Sequence, residues 1–321
     1  MTIILDKDKI IKNIILDHSL IPIIEKAFIS ISEGLAITPP IMRLDIPEYH
    51  GEADVKSAYV KGMDSFAIKI AVGYFDNPSI GLPSSNGLMV LLDSKTGVIK
   101  CILLDEGYLT DIRTAVAGAI SAKYLSNIES KNVGIIGAGM QAELQLESLL
   151  LVRKPVNIFI WARKKERVEK YISKMEKKIN LNFIYCDNIE ELCKESKIIV
   201  TTTPSTSPLI KHEWLQKGVH ITAMGSDAEQ KNELDPKILK ICDLYVPDKQ
   251  SQTSILGELN HAIKNNIIDK KIKFNELGDI IKQPNLGRKN EKDITVCDLT
   301  GTGVQDTAIA RYAFDKINKK I

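Results

Sequence analysis

The stretch Val133–Ala142, VGIIGAGMQA, constrains this chain more than any other. A short apolar run, NVGIIG, leads into it, and MQAELQLESLLLV, with helical spacing of its apolar residues, follows. Gly137, Ala138, Gly139, Met140, Gln141 and Ala142 fit the pattern G-x-G-x-x-G/A. The first glycine permits a tight turn, and the second lets backbone N–H groups approach a pyrophosphate at a helix N-terminus. A small third residue lets helix and strand pack closely. The glycines alone are a weak signal. A strand before them, a helix after them and another strand beyond give the required context. VNIFIWA then reads as a strand and KKERVEKYISKMEKK as a helix. NFIYC, KIIVTTT, GVHITAMG, DLYVPD and ITVCDLTG read as further strands. Such alternation predicts an α/β fold, a Rossmann-type doubly wound parallel sheet. The dinucleotide-binding domain is expected over residues 120–301.

Residues 18–34 carry apolar positions at helical spacing, and Gly34 stops that helix. From Met42 to Lys100 the pattern changes to short strands, VKSAYV, FAIKIAVGYF, GLMVLLD and GVIKCILLD, broken by Gly, Pro and Asn. DIRTAVAGAISAKYL reads as a helix of small residues. A second, α+β domain is therefore expected over residues 1–119, rejoined by a C-terminal helix over 302–321. With 321 residues, 44% of them hydrophobic, the chain can bury a large core. Its 43 basic and 41 acidic residues nearly balance, which argues against a nucleic-acid partner. Cys101, Cys186, Cys193, Cys242 and Cys297 are widely spaced, so reduced thiols are expected rather than disulfides or a metal site. No run has the length of a membrane span, and MTIILDKDKI has no long apolar leader core. The expectation is a cytoplasmic protein with no membrane partner.

The tip of the second Rossmann strand separates the two nicotinamide cofactors. A carboxylate there accepts from the ribose 2′-OH, whereas arginine accommodates a 2′-phosphate. This chain has Trp161, Ala162, Arg163 and Lys164 at that tip. The first charge is Arg163, which favours NADPH over NADH. The competing reading leaves Arg163 and Lys164 simply solvated.

A substrate pocket needs chemistry of its own. Arg43 ends PPIMRLD, Lys69 is the only charge in FAIKIAV, and Arg113 lies in LTDIRTAVAG. A charge inside an apolar strand is costly unless paired. Lys69 thus calls for an anion, either a substrate carboxylate or a structural acid. Arginine suits a bidentate grip on a carboxylate. Asp227, after Met224, Gly225 and Ser226, falls at the carboxyl end of a strand, where ligands bind in such sheets. It reads either as a proton carrier for an amine or as a helix N-cap. His220 reads as core, and His212 and His261 as surface residues.

Taken together, LLDEGYLTDIRTAVAGAISAKYL, VGIIGAGMQA, TTTPS at 201–205, MGSDAEQKNELDP and DLTGTGVQDTAIA give the chain a full-length resemblance to the ornithine cyclodeaminase/mu-crystallin family. The resemblance implies a homodimer whose N-terminal segment supplies both interface and substrate pocket. It implies that Arg43, Lys69 and Arg113 hold the α-carboxylate of an amino or imino acid, that Asp227 is the catalytic acid/base near the nicotinamide, and that Lys69 also serves catalysis. It further implies that Thr114, Thr202, Thr203, Pro204, Met224, Gly225, Ser226, Thr300, Gly301 and Val304 join the glycine turn and Ala162–Lys164 in holding NAD(P)H. Ornithine cyclodeaminases in this family carry an acid at the second-strand tip and use NAD, whereas WAR here is closer to the NADPH-using mu-crystallin pattern. PEYHGEADVKSAYVKGMDSFAIKIAVGYFDNP and GLPSSNGLMVLLD look most like ectoine-utilization cyclodeaminase-like proteins and iminosuccinate reductases.

The chemistry so implied is hydride transfer at a carbon bearing nitrogen. Reduction of iminosuccinate to aspartate needs a donor for a second carboxylate, for which Lys56 or the Ser84-Ser85-Asn86 turn is available. Ornithine cyclodeamination to proline and ammonia needs instead an acid for the δ-amine, for which Glu52 is available. A non-catalytic binder of NADPH or a small ligand is the reading from another class.

Overall fold

The computed structural model describes residues 2–318. The chain forms two compact units, residues 1–114 with 302–321 and residues 115–301. The first break falls inside the helix Tyr108–Leu125, a few residues before the expected position. Residues 319–321 of the expected 302–321 segment lie outside the described residues.

The first unit is built on a mixed sheet. Its strands are β1 (Ile3–Asp6), β2 (Ala36–Ile37), β3 (Met42–Ile46), β4 (Gly51–Val60), β5 (Ser65–Tyr74), β6 (Ser85–Asp93) and β7 (Ile99–Leu104). They run in the order β1-β7-β6-β5-β4-β2, with β3 also pairing β4. Among the described residues, β1 and β7 alone pair in parallel in this sheet, and its other pairings are antiparallel. Strict alternation divides the two faces of the sheet. Ala58, Ala67, Met89, Leu91, Cys101 and Leu103 point inward and are buried. The helices Ile21–Ser32 and Gly303–Ile317 pack together, and the second of them lies on β4 and β5. Thr307 fixes its position, accepting from the Ala67 N–H at 3.0 Å and donating to the Ala58 carbonyl at 2.8 Å.

The opposite face is also apolar. Met42, Val55, Ile70 and Leu88 stand in register across four strands. Met42 is 62%, Leu44 59% and Ile70 39% exposed. The helix Lys7–Asn13 and strand β1 were not legible in the sequence, being too short for a periodic signal.

The second unit is a wholly parallel sheet. Its strands are β8 (Asn132–Ile136), β9 (Asn157–Trp161), β10 (Asn182–Tyr185), β11 (Ile198–Thr201), β12 (His220–Ala223), β13 (Leu244–Pro247) and β14 (Thr295–Asp298). The order is β10-β9-β8-β11-β12-β14-β13. This is the predicted doubly wound Rossmann sheet. Cores on both faces explain why its strands are continuously apolar instead of alternating. The direction of winding reverses between β8 and β11, so a crevice opens at their carboxyl ends.

Candidate active site

In the second unit, the chain turns at Gly137, directly after β8. Its φ of +121° is a conformation that side chains resist, and a Cβ there would lie 2.4 Å from Thr202 Oγ1. Gly139 begins the helix Met140–Leu149 and offers no side-chain cap. Nothing lies within 4 Å of a Cβ placed on Gly139. Exposed Gly139 and Met140 leave the first-turn N–H groups open to a ligand, while Ala142 is buried beneath them. A ten-residue helix with an open, positive N-terminus beside a glycine turn fits a dinucleotide pyrophosphate. At the tip of β9, Ala162 is half-buried, and Arg163 and Lys164 are exposed.

The turns after β11 and β12 form one continuous edge. Glu233, fully buried, accepts from Thr201 Oγ1 at 2.6 Å, Thr203 N at 2.6 Å, Thr203 Oγ1 at 2.7 Å and Gly225 N at 2.8 Å. Burial pushes its carboxyl above the usual range, and these bonds pull against that shift. Gly225 tolerates no side chain, since a Cβ would lie 2.1 Å from the Thr203 carbonyl oxygen. Thr202 is half-buried beside the glycine turn, and Pro204 is exposed. Met224 is buried, and its Sδ accepts from Gln145 Nε2 at 2.8 Å. After β14, Asp248 accepts from the N–H groups of Thr300 and Gly301, each at 2.8 Å.

Asp227 lies in the same unit, with its side chain 40% exposed, and is paired with Lys231 Nζ at 2.7 Å. No helix follows it; residues 228–237 are turns and irregular chain, so the N-cap reading does not hold. The backbone of Lys231 is pinned in turn, its carbonyl accepting from Ser226 Oγ and bonding His261 Nε2 at 2.8 Å. His261 is therefore half-buried structure rather than open surface. His220 is core, bonded to Ser121 and Thr295. His212, also half-buried, has Nδ1 2.7 Å from Asp235 and 3.0 Å from Glu213.

The first unit holds the cations. Lys69 in β5 is 2% exposed and lies 3.2 Å from Asp306 Oδ2. Arg113 Nε lies 2.9 Å from Asp306 Oδ1. Asp306 itself is fully buried in the first turn of Gly303–Ile317. Burial opposes its charge, but Arg113, then Lys69 and Lys56, hold its carboxyl below the usual range. Burial also pushes the Lys69 ammonium down to about 7, with Asp306 opposing and Arg113 and Lys56 reinforcing the shift. Lys56, also buried, stands directly opposite Lys69 on β4. Asp105 accepts from the Leu109 N–H at 2.8 Å, and burial pushes its carboxyl up to about 6.

The structure thus brings Lys69 and Arg113 together on a structural acid. Arg43 lies on the same sheet face as Lys56 and Lys69, its register partner Asp54 being two residues from Lys56 on β4, but it carries acids of its own. It pairs with Asp45 at 2.9 Å, Glu52 at 2.5 Å and Asp54 at 3.4 Å, opposite Asp54 in the β3–β4 register. Ser85 lies opposite Gly73, four residues along β6 from Met89, the register partner of Lys69. At about 3.4 Å per residue, that separates Ser85 from the Lys69 position by roughly 14 Å along the strands. Lys56, not the serine turn, adjoins the cationic group. The side chain of Val304, expected beside the cofactor, packs instead with Ala27, Ala58 and Val60 in the core. Thr114 follows Arg113 on the helix Tyr108–Leu125. Cys101, Cys186, Cys193, Cys242 and Cys297 are free thiols. Among the described residues, no helix is long and apolar enough to cross a membrane.

The ornithine cyclodeaminase/mu-crystallin family model matches residues 1–321. A putative dehydrogenase of Rhizobium meliloti is 50% identical over 303 residues, covering 94% of this chain and 92% of that protein. An archaeal alanine dehydrogenase, solved as a dimer with bound NAD, is 31% identical with a TM-score of 0.90, covering 99% and 97% of the two chains. The iminosuccinate reductase of Paracoccus denitrificans, solved with NAD+, is 27% identical with a TM-score of 0.87 over 99% and 97%. Full-length agreement of sequence and fold gives one conclusion: the chain belongs to the ornithine cyclodeaminase/mu-crystallin family.

Proposed function

We propose that this protein is a nicotinamide-dependent oxidoreductase that reduces a small α-imino acid to its α-amino acid. The observation that carries this reading is the buried placement of Lys69 and Arg113 around a single carboxylate, Asp306. Two buried cations on one acid make a site that a substrate carboxylate completes. Membership in a family that includes dehydrogenases and reductases supports the redox assignment.

In this reading Arg113 and Lys69 bind the α-carboxylate and fix the imine carbon, an orientation effect. When bound, the cofactor supplies hydride to that carbon. Asp227, oriented by Lys231, holds and delivers the proton at the imine nitrogen. The glycine turn and open helix N-terminus hold the pyrophosphate. Thr114, Thr202, Thr203, Pro204, Met224, Gly225, Ser226, Thr300 and Gly301 shape the rest of the cofactor site. Exposed Arg163 and Lys164 support NADPH as the preferred form, although the two solved relatives named above hold NAD or NAD+.

The favoured substrate is iminosuccinate, because Lys56 adds a cation opposite Lys69 for a second carboxylate. Cyclodeamination asks Glu52 to hold a δ-amine, and Glu52 is already paired with Arg43. We place two copies of the chain together through the apolar outer face of the first-unit sheet. The archaeal alanine dehydrogenase, solved as a dimer, supports a homodimer. Five free thiols support a reducing, cytoplasmic location.

The test supplies NADPH or NADH, ammonia, and oxaloacetate, pyruvate or glyoxylate, and follows loss of the reduced-nicotinamide absorbance. Consumption with oxaloacetate and formation of aspartate is the expected result. Preference for pyruvate or glyoxylate would move the substrate to another amino acid. Conversion of ornithine to proline with catalytic NAD+, and no net oxidation of NAD(P)H, would establish the cyclodeaminase instead. Cofactor binding without turnover of any substrate would establish a binding protein.

A further inference from the structure

We infer that Glu233 is a positioning residue for the cofactor, a buried clamp that joins the turns after β11 and β12 into one rigid edge. The inference rests on the proposed reading that those turns bear on the nicotinamide cofactor. The two turns come from separate strands, and β11 and β12 end at Thr201 and Ala223. Beyond those ends the β11–β12 ladder stops, and the two segments meet again farther on, where Asn232 N donates to the Ser205 carbonyl at 2.8 Å and Ile210 bridges to Leu234. The Glu233 carboxylate spans the gap, with Oε1 on the N–H and hydroxyl of Thr203 and Oε2 on Thr201 Oγ1 and Gly225 N. The Thr203 carbonyl and Gly225 are pressed so close that only glycine fits. A carboxylate suits this position because it accepts on both oxygens and donates nothing.

Glu233 is itself held from behind. Its N–H donates to Glu258 Oε1 at 2.9 Å, and Leu234 N donates to Glu258 Oε2 at 3.1 Å. Asn232 Nδ2 donates to the same Oε2 at 2.5 Å. Its own carbonyl accepts from Leu209 N at 2.7 Å, on the chain that continues from the β11 turn. The clamp thus fixes two loops whose separate motion would blur the cofactor site. Binding groups held by a second layer of hydrogen bonds lose less entropy when a ligand arrives.

Replacing Glu233 by Gln keeps the shape but turns one acceptor into a donor facing N–H or O–H groups. The test uses the full chain as wild type, Glu233→Gln, Thr201→Val and the exposed control Glu229→Gln. It measures NADH and NADPH dissociation constants by fluorescence, then KM for cofactor and imino acid separately, then melting temperature. Loss of charge-assisted hydrogen bonds predicts that Glu233→Gln raises the cofactor dissociation constant and KM by about tenfold or more. Thr201→Val, which removes one hydroxyl donor to Glu233 from a buried residue, raises them by about threefold. The kcat and the imino-acid KM stay within about twofold of wild type, and Glu229→Gln changes nothing.

Unchanged cofactor constants in both variants overturn the clamp while leaving the proposed function standing. A proportional loss in kcat, both KM values and melting temperature also overturns it, since that describes a general structural acid. If Glu233→Gln does not fold, Thr201→Val decides between these outcomes. A wild-type protein that binds neither NADH nor NADPH refutes the cofactor reading and the clamp with it.

Discussion

Replacing Lys69 by methionine separates stability from activity. Lys69 is buried and shares Asp306 with Arg113, and burial first, then Arg113 and Lys56 against Asp306, pushes its ammonium from 10.5 down to about 7. Each unit of such a displacement is worth about 1.4 kcal/mol, so carrying Lys69 at pH 7 costs folding on the order of 4 kcal/mol. Methionine keeps the unbranched apolar stem and discards the charge, while Asp306 retains Arg113. The variant is expected to be more stable by about 1–4 kcal/mol at pH 7, the range for apolar replacement of buried ionic groups. Urea denaturation of the cofactor-free protein measures it. The sign has a pH signature. Between pH 7 and 10.5 the unfolded chain keeps the Lys69 proton and the folded chain does not, so wild-type stability rises with pH across that window. The advantage of Lys69→Met therefore shrinks as pH rises toward 10. Activity moves the other way: kcat/KM for the imino acid falls by roughly tenfold to a hundredfold, as for one lost charge-assisted contact. Wild-type kcat/KM also declines as pH rises through about 7, when Lys69 loses its charge. A variant less stable than wild type at pH 7 and equally so at pH 10 would refute the charge argument. A fully active variant would refute the role of Lys69 in binding.

Asp227→Asn is expected to lower kcat by about 10²–10⁴-fold, with the NAD(P)H dissociation constant unchanged in a fluorescence titration. Arg163→Ala is expected to raise the KM for NADPH about tenfold and leave that for NADH unaltered, in a direct comparison of the two cofactors. Ile70→Asp places a charge in the exposed apolar row of the first-unit sheet, and sedimentation velocity should then show monomers where wild type gives dimers. Gly225→Ala forces a Cβ against the Thr203 carbonyl and should weaken cofactor binding by more than tenfold, read by the same titration.

The Rossmann unit was legible because its signals are local. The glycine turn, the apolar strands and the helix between them sit within about thirty residues of one another, and each element declares its own period. The cationic site was legible only by half. Lys69 announced itself as a charge in an apolar strand, but whether its anion was substrate or protein was not readable. The partner, Asp306, sits in the first turn of a helix far along the chain and reads in the sequence as an ordinary helix-start acid. Arg43 shares the sheet face of Lys56 and Lys69, but no local pattern places Glu52 and Asp54 beside it; the β3–β4 register does that. Val304 failed for a similar reason, since which face of a helix meets the core depends on what packs there. Within MGSDAEQKNELDP no local signal sets Glu233 or Lys231 apart. Their chemistry comes from an irregular loop, where neither helical nor strand periodicity applies.

The Asp306 contact also sets an order of events while the protein is being made. Arg113 leaves the ribosome 193 residues ahead of the carboxylate it will pair with, and the whole of the second unit is translated in between. At about 5–20 residues per second that is a wait of roughly 10–40 s. Throughout it Lys69 and Arg113 lack their buried counter-ion, and the inner sheet face lacks the helix Gly303–Ile317. The nascent first unit cannot cover its inner sheet face until that helix arrives, whereas residues 115–301 are one uninterrupted segment with no such wait.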